Sequence, residues 1–129
     1  MTIVQGIGGV FLYADDAAAL AAWYTEHLGL TFTNYGKSHF LELPSADVEP
    51  GPRTATTVFA LFQADEALPA GVRTGRVNFR IGDLDGLLDS LRSRGVAIEP
   101  SEDESYGRFA WIRDPEGNRV ELWEPPLRD

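Results

Sequence analysis

The chain repeats itself at a fixed interval. Val10 and Val77, Asp16 and Asp83, and Leu20 and Leu87 are each 67 positions apart, while Gly29 and Gly95 are 66 apart because the second helix is one residue shorter. A chain that carries the same pattern twice is built from two copies of one supersecondary unit, and few folds satisfy that requirement. The 129 residues suit one domain over 1–129, with internal modules at about 3–63 and 74–125.

Each copy reads as a strand, a helix and three further strands. In the first, Ile7 to Ala14 alternates as a strand, and Asp15 or Asp16 caps a helix. Its buried stripe is Ala17, Leu20, Ala21, Tyr24 and Leu28, with Gly29 just past the end. Leu30 to Tyr35 and Ser38 to Leu43 are expected to pair through Gly36, and Pro44 to Arg53 to form the longest loop. Thr56 to Phe62, rich in β-branched and aromatic residues, closes the copy.

In the second copy, Gly75 to Ile81 alternates, and Asp83 caps a helix with Leu84, Leu87, Leu88 and Leu91 on its apolar side. A short strand is expected over Val96 to Glu99 and a solvated acidic loop over Glu102 to Glu104. The closing segment holds Asp114, Pro115, Gly117 and Asn118, which suit a tight reversal between two strands. If Val120 and Leu122 point into the core, Arg119, Glu121 and Trp123 line the other surface.

Composition excludes several classes of function. The net charge of −9 repels a phosphate backbone, and the basic residues form no run, so nucleic acid is not an expected partner. No stretch reaches the 18 to 20 apolar residues that a membrane helix needs, and no leader pattern follows Met1. With no cysteine, the chain suits a reducing compartment, and a cytoplasmic protein is expected. Phosphate-binding glycine loops, nucleophile elbows and cysteine nucleophiles are absent.

Four segments carry a family resemblance across nearly the whole chain: Ile7 to Asp16, Ala22 to Leu30, Val77 to Asp85, and Asp114 to Leu122. Together they resemble the vicinal oxygen chelate superfamily, the glyoxalase, bleomycin-resistance and extradiol-dioxygenase group. The resemblance implies an α+β fold of two tandem βαβββ modules, a mixed sheet curled around a central cleft with helices outside, and a homodimer.

The resemblance also implies metal ligands at equivalent points on the first and last strands of the modules. Seven residues before each capping aspartate, where relatives place a ligand, stand Gly9 and Arg76. Either register of Val58-Phe59-Ala60-Leu61 offers an apolar residue, and only Glu121 matches. A transition metal needs three or four converging donors, and a guanidinium in the metal's place opposes one, so no metal or other cofactor is expected.

Glu121 and Arg76 are the candidate catalytic pair, read either as a carboxylate holding a guanidinium in the vacated cation position or as a plain cross-strand ion pair. Phe11, Tyr13, His39, Asn78 and Trp123 are candidate ligand-binding residues, Phe11, Tyr13 and Trp123 as aromatic walls and His39 as the one plausible imidazole base. His27, in the last turn of a helix, reads as structural. The expected function is metal-free binding of a small organic ligand in the cleft. The enzymatic alternative is a glyoxalase-like lyase or isomerase, metal-dependent or metal-free, in which Glu121 abstracts a proton next to a carbonyl. A dioxygenase is less expected, and a third reading is an interaction module whose cleft is filled by its own side chains.

Overall fold

The computed structural model describes residues 7, 9–44, 56–70 and 76–126, so the expected loop beyond Pro44 lies almost wholly outside the described residues. The chain divides into two compact units, Met1–Leu68 and Pro69–Asp129. In the first, the order is β1 (Gly9–Ala14), α1 (Ala17–Leu28), β2 (Thr33–Tyr35), β3 (Ser38–Pro44) and β4 (Thr56–Gln63). In the second it is β5 (Arg76–Arg80), α2 (Leu84–Ser93), β6 (Glu102–Glu104), β7 (Gly107–Arg113) and β8 (Arg119–Glu124).

The repeat seen in the sequence is a repeat of topology. One sheet is ordered β1-β4-β3-β2 and the other β5-β8-β7-β6. In each, the first strand runs parallel to the last, and the remaining pairs are antiparallel. Both helices start as their aspartates dictate: Asp16 accepts from the Ala19 N–H and Asp83 from the Gly86 N–H, satisfying donors that the helix itself leaves unpaired. Gly29 ends α1 at φ 70°, a left-handed conformation that an L side chain resists.

Each helix buries its apolar stripe against its own sheet. In the first unit Tyr24, fully buried, meets Phe59 edge to face at 5.3 Å, with Leu20 and Leu61 beside them in the core. In the second, α2 packs on β8, and Leu84, Leu88, Leu91, Ile112, Val120 and Leu122 are buried. Burying each such side chain contributes about 1.5 to 3 kcal/mol. Leu28 and Leu87, expected in the stripes, are only half-buried.

The closing turn is held by one carboxylate. Asp114 is 4% exposed, and its Oδ1 accepts from the backbone N–H of Glu116 (3.0 Å) and of Asn118 (2.9 Å). Its Oδ2 accepts from the Asn118 side-chain amide at 2.9 Å, and Gly117 takes the positive φ of 85°. The clasp sets the register in which Ile112 faces Val120 and Trp111 faces Glu121.

Two local expectations are overturned. Glu102–Glu104 is a strand, not a loop: it pairs with β7 through its backbone while all three side chains stay in solvent, so composition carries no trace of it. Val96 to Glu99 is not a strand. The Val96 N–H closes the end of α2 on the Leu91 carbonyl, and only the Glu99 N–H reaches β7, at the Trp111 carbonyl. Likewise β2 begins at Thr33 rather than Leu30.

Candidate functional site

Alternation along β5, β7 and β8 sorts the second unit into two faces. Val77, Ala110, Ile112, Val120 and Leu122 are buried. The alternate residues Arg76, Asn78 and Arg80 of β5, Arg119, Glu121 and Trp123 of β8, and Phe109 and Trp111 of β7 share the other face, as the pairs Asn78↔Glu121 and Trp111↔Glu121 require. Arg76, Asn78 and Glu121 therefore meet as their spacing predicts.

Glu121 sits at the centre, with its side chain 14% exposed. Asn78 Nδ2 donates to its Oε2 at 2.6 Å, Trp111 Nε1 donates to its Oε1 at 2.9 Å, and Arg76 Nε lies 3.8 Å from Oε1. Partial burial pushes the carboxyl pKa up. The hydrogen bonds from Asn78 and Trp111, with the charges of Arg76 and Arg119, outweigh it and hold Glu121 below the usual carboxylate range. The group is thus a settled anion with both oxygens engaged, an arrangement that favours a counter-charge over a proton acceptor.

A second set of contacts holds this centre from the side. Arg119 donates to both carboxylate oxygens of Glu99, at 3.2 and 3.3 Å, and its guanidinium carbon lies 4.9 Å from the centre of the Trp111 ring. Phe109 stacks beside Trp111 at 6.2 Å. Trp123, expected as an aromatic wall, lies on this face and donates its indole N–H to the Tyr106 carbonyl at 2.9 Å. A side chain at Gly107 would collide with the Trp123 indole and with the Glu124 carbonyl, so glycine lets the ring lie over the backbone. Arg119 lies on this surface as alternation predicts, whereas Trp111 is not singled out in the sequence reading, although hairpin counting could have found it: Arg113 with Arg119 and Trp111 with Glu121 are equidistant from Glu116.

In the first unit, Phe11 and Tyr13 lie on the sheet face opposite the buried Val10-side core and are 55% and 62% exposed. Each ring sits 5.6 Å from Phe62, so they form a cluster with Phe62. The expectation that His39 could share this face does not hold. His39 is registered opposite the fully buried Leu61, on the helix side, where it lines a groove with Ala18 and Ala22 of α1, and its Nδ1 lies 2.6 Å from Asn34 Oδ1.

The positions implied for a metal do not supply a donor set. By register, Ala60 beside Phe11 is the counterpart of Glu121 beside Asn78, which resolves the two registers left open for β4. Ala60 has no donor atom, and Gly9 could not gain one: an added Cβ would stand 2.7 Å from the Val58 carbonyl oxygen and 3.0 Å from the Phe11 ring. Arg76 contributes a cation, and the lone pairs of Glu121 already accept two hydrogen bonds. Among the described residues no three of His, Cys, Asp and Glu are grouped so as to hold a metal ion. A divalent cation with three or four protein ligands does not fit these residues.

Residues 6–122 match the family model of the Glyoxalase/Bleomycin resistance protein/Dioxygenase superfamily. Among solved structures, the chain resembles a lactoylglutathione lyase from Agrobacterium tumefaciens at 24% identity, covering 95% of this chain and 96% of that one, with a TM-score of 0.68. It also resembles TnmS3, an antibiotic binding protein from Streptomyces sp. CB03234, at 23% identity over 98% and 100% of the two chains, with a TM-score of 0.67. A glyoxylase/bleomycin resistance protein/dioxygenase domain from Frankia sp. EAN1pec is 23% identical over 95% and 99%, at 0.61. At such identities the likeness speaks to the fold alone. No curated protein matches the chain by sequence. No helix among the described residues is long and apolar enough to cross a membrane.

Proposed function

Because the chain belongs to the Glyoxalase/Bleomycin resistance protein/Dioxygenase superfamily, we propose that it binds a small organic molecule on the open face of the β5–β8–β7 sheet, using side chains where metal-dependent relatives use an ion. The observation that carries this reading is the state of Glu121. Its two oxygens accept from Asn78 and Trp111, and a guanidinium stands beside it at 3.8 Å. A carboxylate held below its ordinary pKa by these partners is a poor general base, since a base works best with a pKa close to the working pH, and the guanidinium beside it opposes a metal ion. Aromatic side chains around a few fixed polar groups are what small-molecule sites present.

The fold serves both sequestration and chemistry in proteins of similar structure, an antibiotic binding protein and a lactoylglutathione lyase among them. Here the lowered pKa of Glu121 favours sequestration over the lyase or isomerase alternative, and Arg76 and Glu121 become binding residues. A homodimer in the cytoplasm belongs to the same reading, supported by the family and by the lack of cysteine.

A thermal-shift screen against hemithioacetals, catechols and antibiotics, with divalent metals in a separate arm, tests the proposal. A ligand at a hundred times its Kd stabilises the native state by about 2.7 kcal/mol, which is readily seen. The expected result is a shift with an organic ligand and no added metal. Stabilisation that requires Zn, Ni or Fe would overturn the metal-free reading and revive the lyase and dioxygenase alternatives, and isomerisation of a hemithioacetal would establish the enzymatic one.

A further inference from the structure

The chain carries 20 acidic residues against 11 basic ones, yet β5 presents two guanidiniums to its open face, Arg76 and Arg80, with Asn78 between them. Arg80 makes no ion pair with another described residue, and Arg76 touches only Glu121. That contact is loose, through Nε alone at 3.8 Å, with the Arg76 side chain 50% exposed. A carboxylate and a guanidinium left to themselves form a two-pronged pair at close range. Glu121 does not do so here: Asn78 and Trp111 each donate to one of its oxygens, and the Arg76 Nε stands beyond hydrogen-bond distance at 3.8 Å. The guanidinium N–H donors of Arg76 thus make no hydrogen bond to another described residue.

Arg119, at the level of Arg76 on the next strand, is not available in the same way, since Glu99 takes two of its donors. Four strand residues, about 13 Å, separate the level of Arg76 from that of Trp123. With an arginine reaching inward from one end, that span suits a body of one or two fused rings.

We propose that this face selects aromatic carboxylates: the Arg76 guanidinium receives the ligand's oxyanion in a two-pronged contact, Asn78 and Trp111 prevent Glu121 from competing for that guanidinium, and the ring system lies along β8 toward Trp123. The assignment rests on the ligand-binding reading above and adds the chemical class. It turns the mismatch with a metal site into a function, because an arginine does for a carboxylate what an ion does for an oxygen-chelating substrate, without coordination chemistry. Locally, the exposed guanidiniums of Arg76 and Arg80 draw an anion to one face of a chain whose net charge of −9 repels anions elsewhere.

The test is calorimetric titration of the full chain with 2-naphthoate and with 2-naphthamide, which share shape and differ in charge. The wild-type protein is expected to bind naphthoate at least tenfold more tightly than naphthamide. Arg76→Met is expected to abolish that preference by weakening naphthoate binding at least tenfold, and Arg76→Lys, which keeps the charge but not the fork, to retain part of it. Unfolding curves on both variants establish that they are native. Equal binding of the two probes by the wild type, or an undiminished preference in Arg76→Met, overturns the oxyanion assignment and leaves small-molecule binding standing. Binding of neither probe at millimolar concentration overturns the aromatic-carboxylate assignment, and the ligand screen above then decides small-molecule binding separately.

Discussion

Asp114→Ala is expected to lower the free energy of unfolding by about 3 kcal/mol, measured by chemical denaturation at neutral pH. The substitution deletes the acceptor of three hydrogen bonds and leaves the backbone N–H and side-chain amide of Asn118, itself 8% exposed, without that partner. Buried donors deprived of a partner cost their full desolvation, more when the lost acceptor is charged. Asn118→Ala, which removes only the amide bond, should cost about 1 kcal/mol. Because the clasp sets the β7–β8 register, the damage extends to the site: a slip of one residue would turn Glu121 toward the core and Val120 outward. A loss below about 1 kcal/mol for Asp114→Ala would show that the turn is held by its backbone alone.

Glu121→Leu is expected to cost about 2 kcal/mol, since it leaves the Trp111 indole N–H, on a residue only 8% exposed, with no acceptor and strands Arg76 beside an apolar group. Glu121→Gln, retaining one oxygen, should cost about half as much. The pair also fixes a pH dependence. The Glu121 pKa is lower in the folded protein than in the unfolded chain, because the hydrogen bonds and cations outweigh the burial that raises it. Its ionised form thus contributes stability that is fully present above the unfolded-chain value of about 4.3 and is lost as pH falls through the folded value. The stability gap between wild type and Glu121→Gln should accordingly narrow on acidification below that value. A gap that widens there would mean that Glu121 is held protonated rather than charged.

How far the residues foretold this arrangement depends on what each signal encodes. Helix starts were readable because Asp16 and Asp83 cap by chemistry that is local in sequence. Arg76, Asn78 and Glu121 were readable because alternation and the 67-residue offset place them without any tertiary information. The strand at Glu102–Glu104 was not, since its side chains are all solvated and acidic and leave no apolar pattern, its one side-chain tie being Asp103 to Arg108. The facing of His39 was legible but missed: Leu41 and Leu43 flank the exposed Glu42, and His39 shares the face of the buried Leu41. Trp111 is the instructive omission. It was not singled out, whereas the hairpin's symmetry about Glu116 pairs it with Glu121, whose carboxylate accepts its indole N–H.

The central claim is that side chains occupy the chemistry of the family's ion position in the second unit, and metal content tests it most directly. Protein purified without chelators and analysed by mass spectrometry of the elements should carry Zn, Ni and Fe far below one atom per chain, with the same values for Glu121→Gln. One atom per chain in the wild type, lost in Glu121→Gln, would contradict the account.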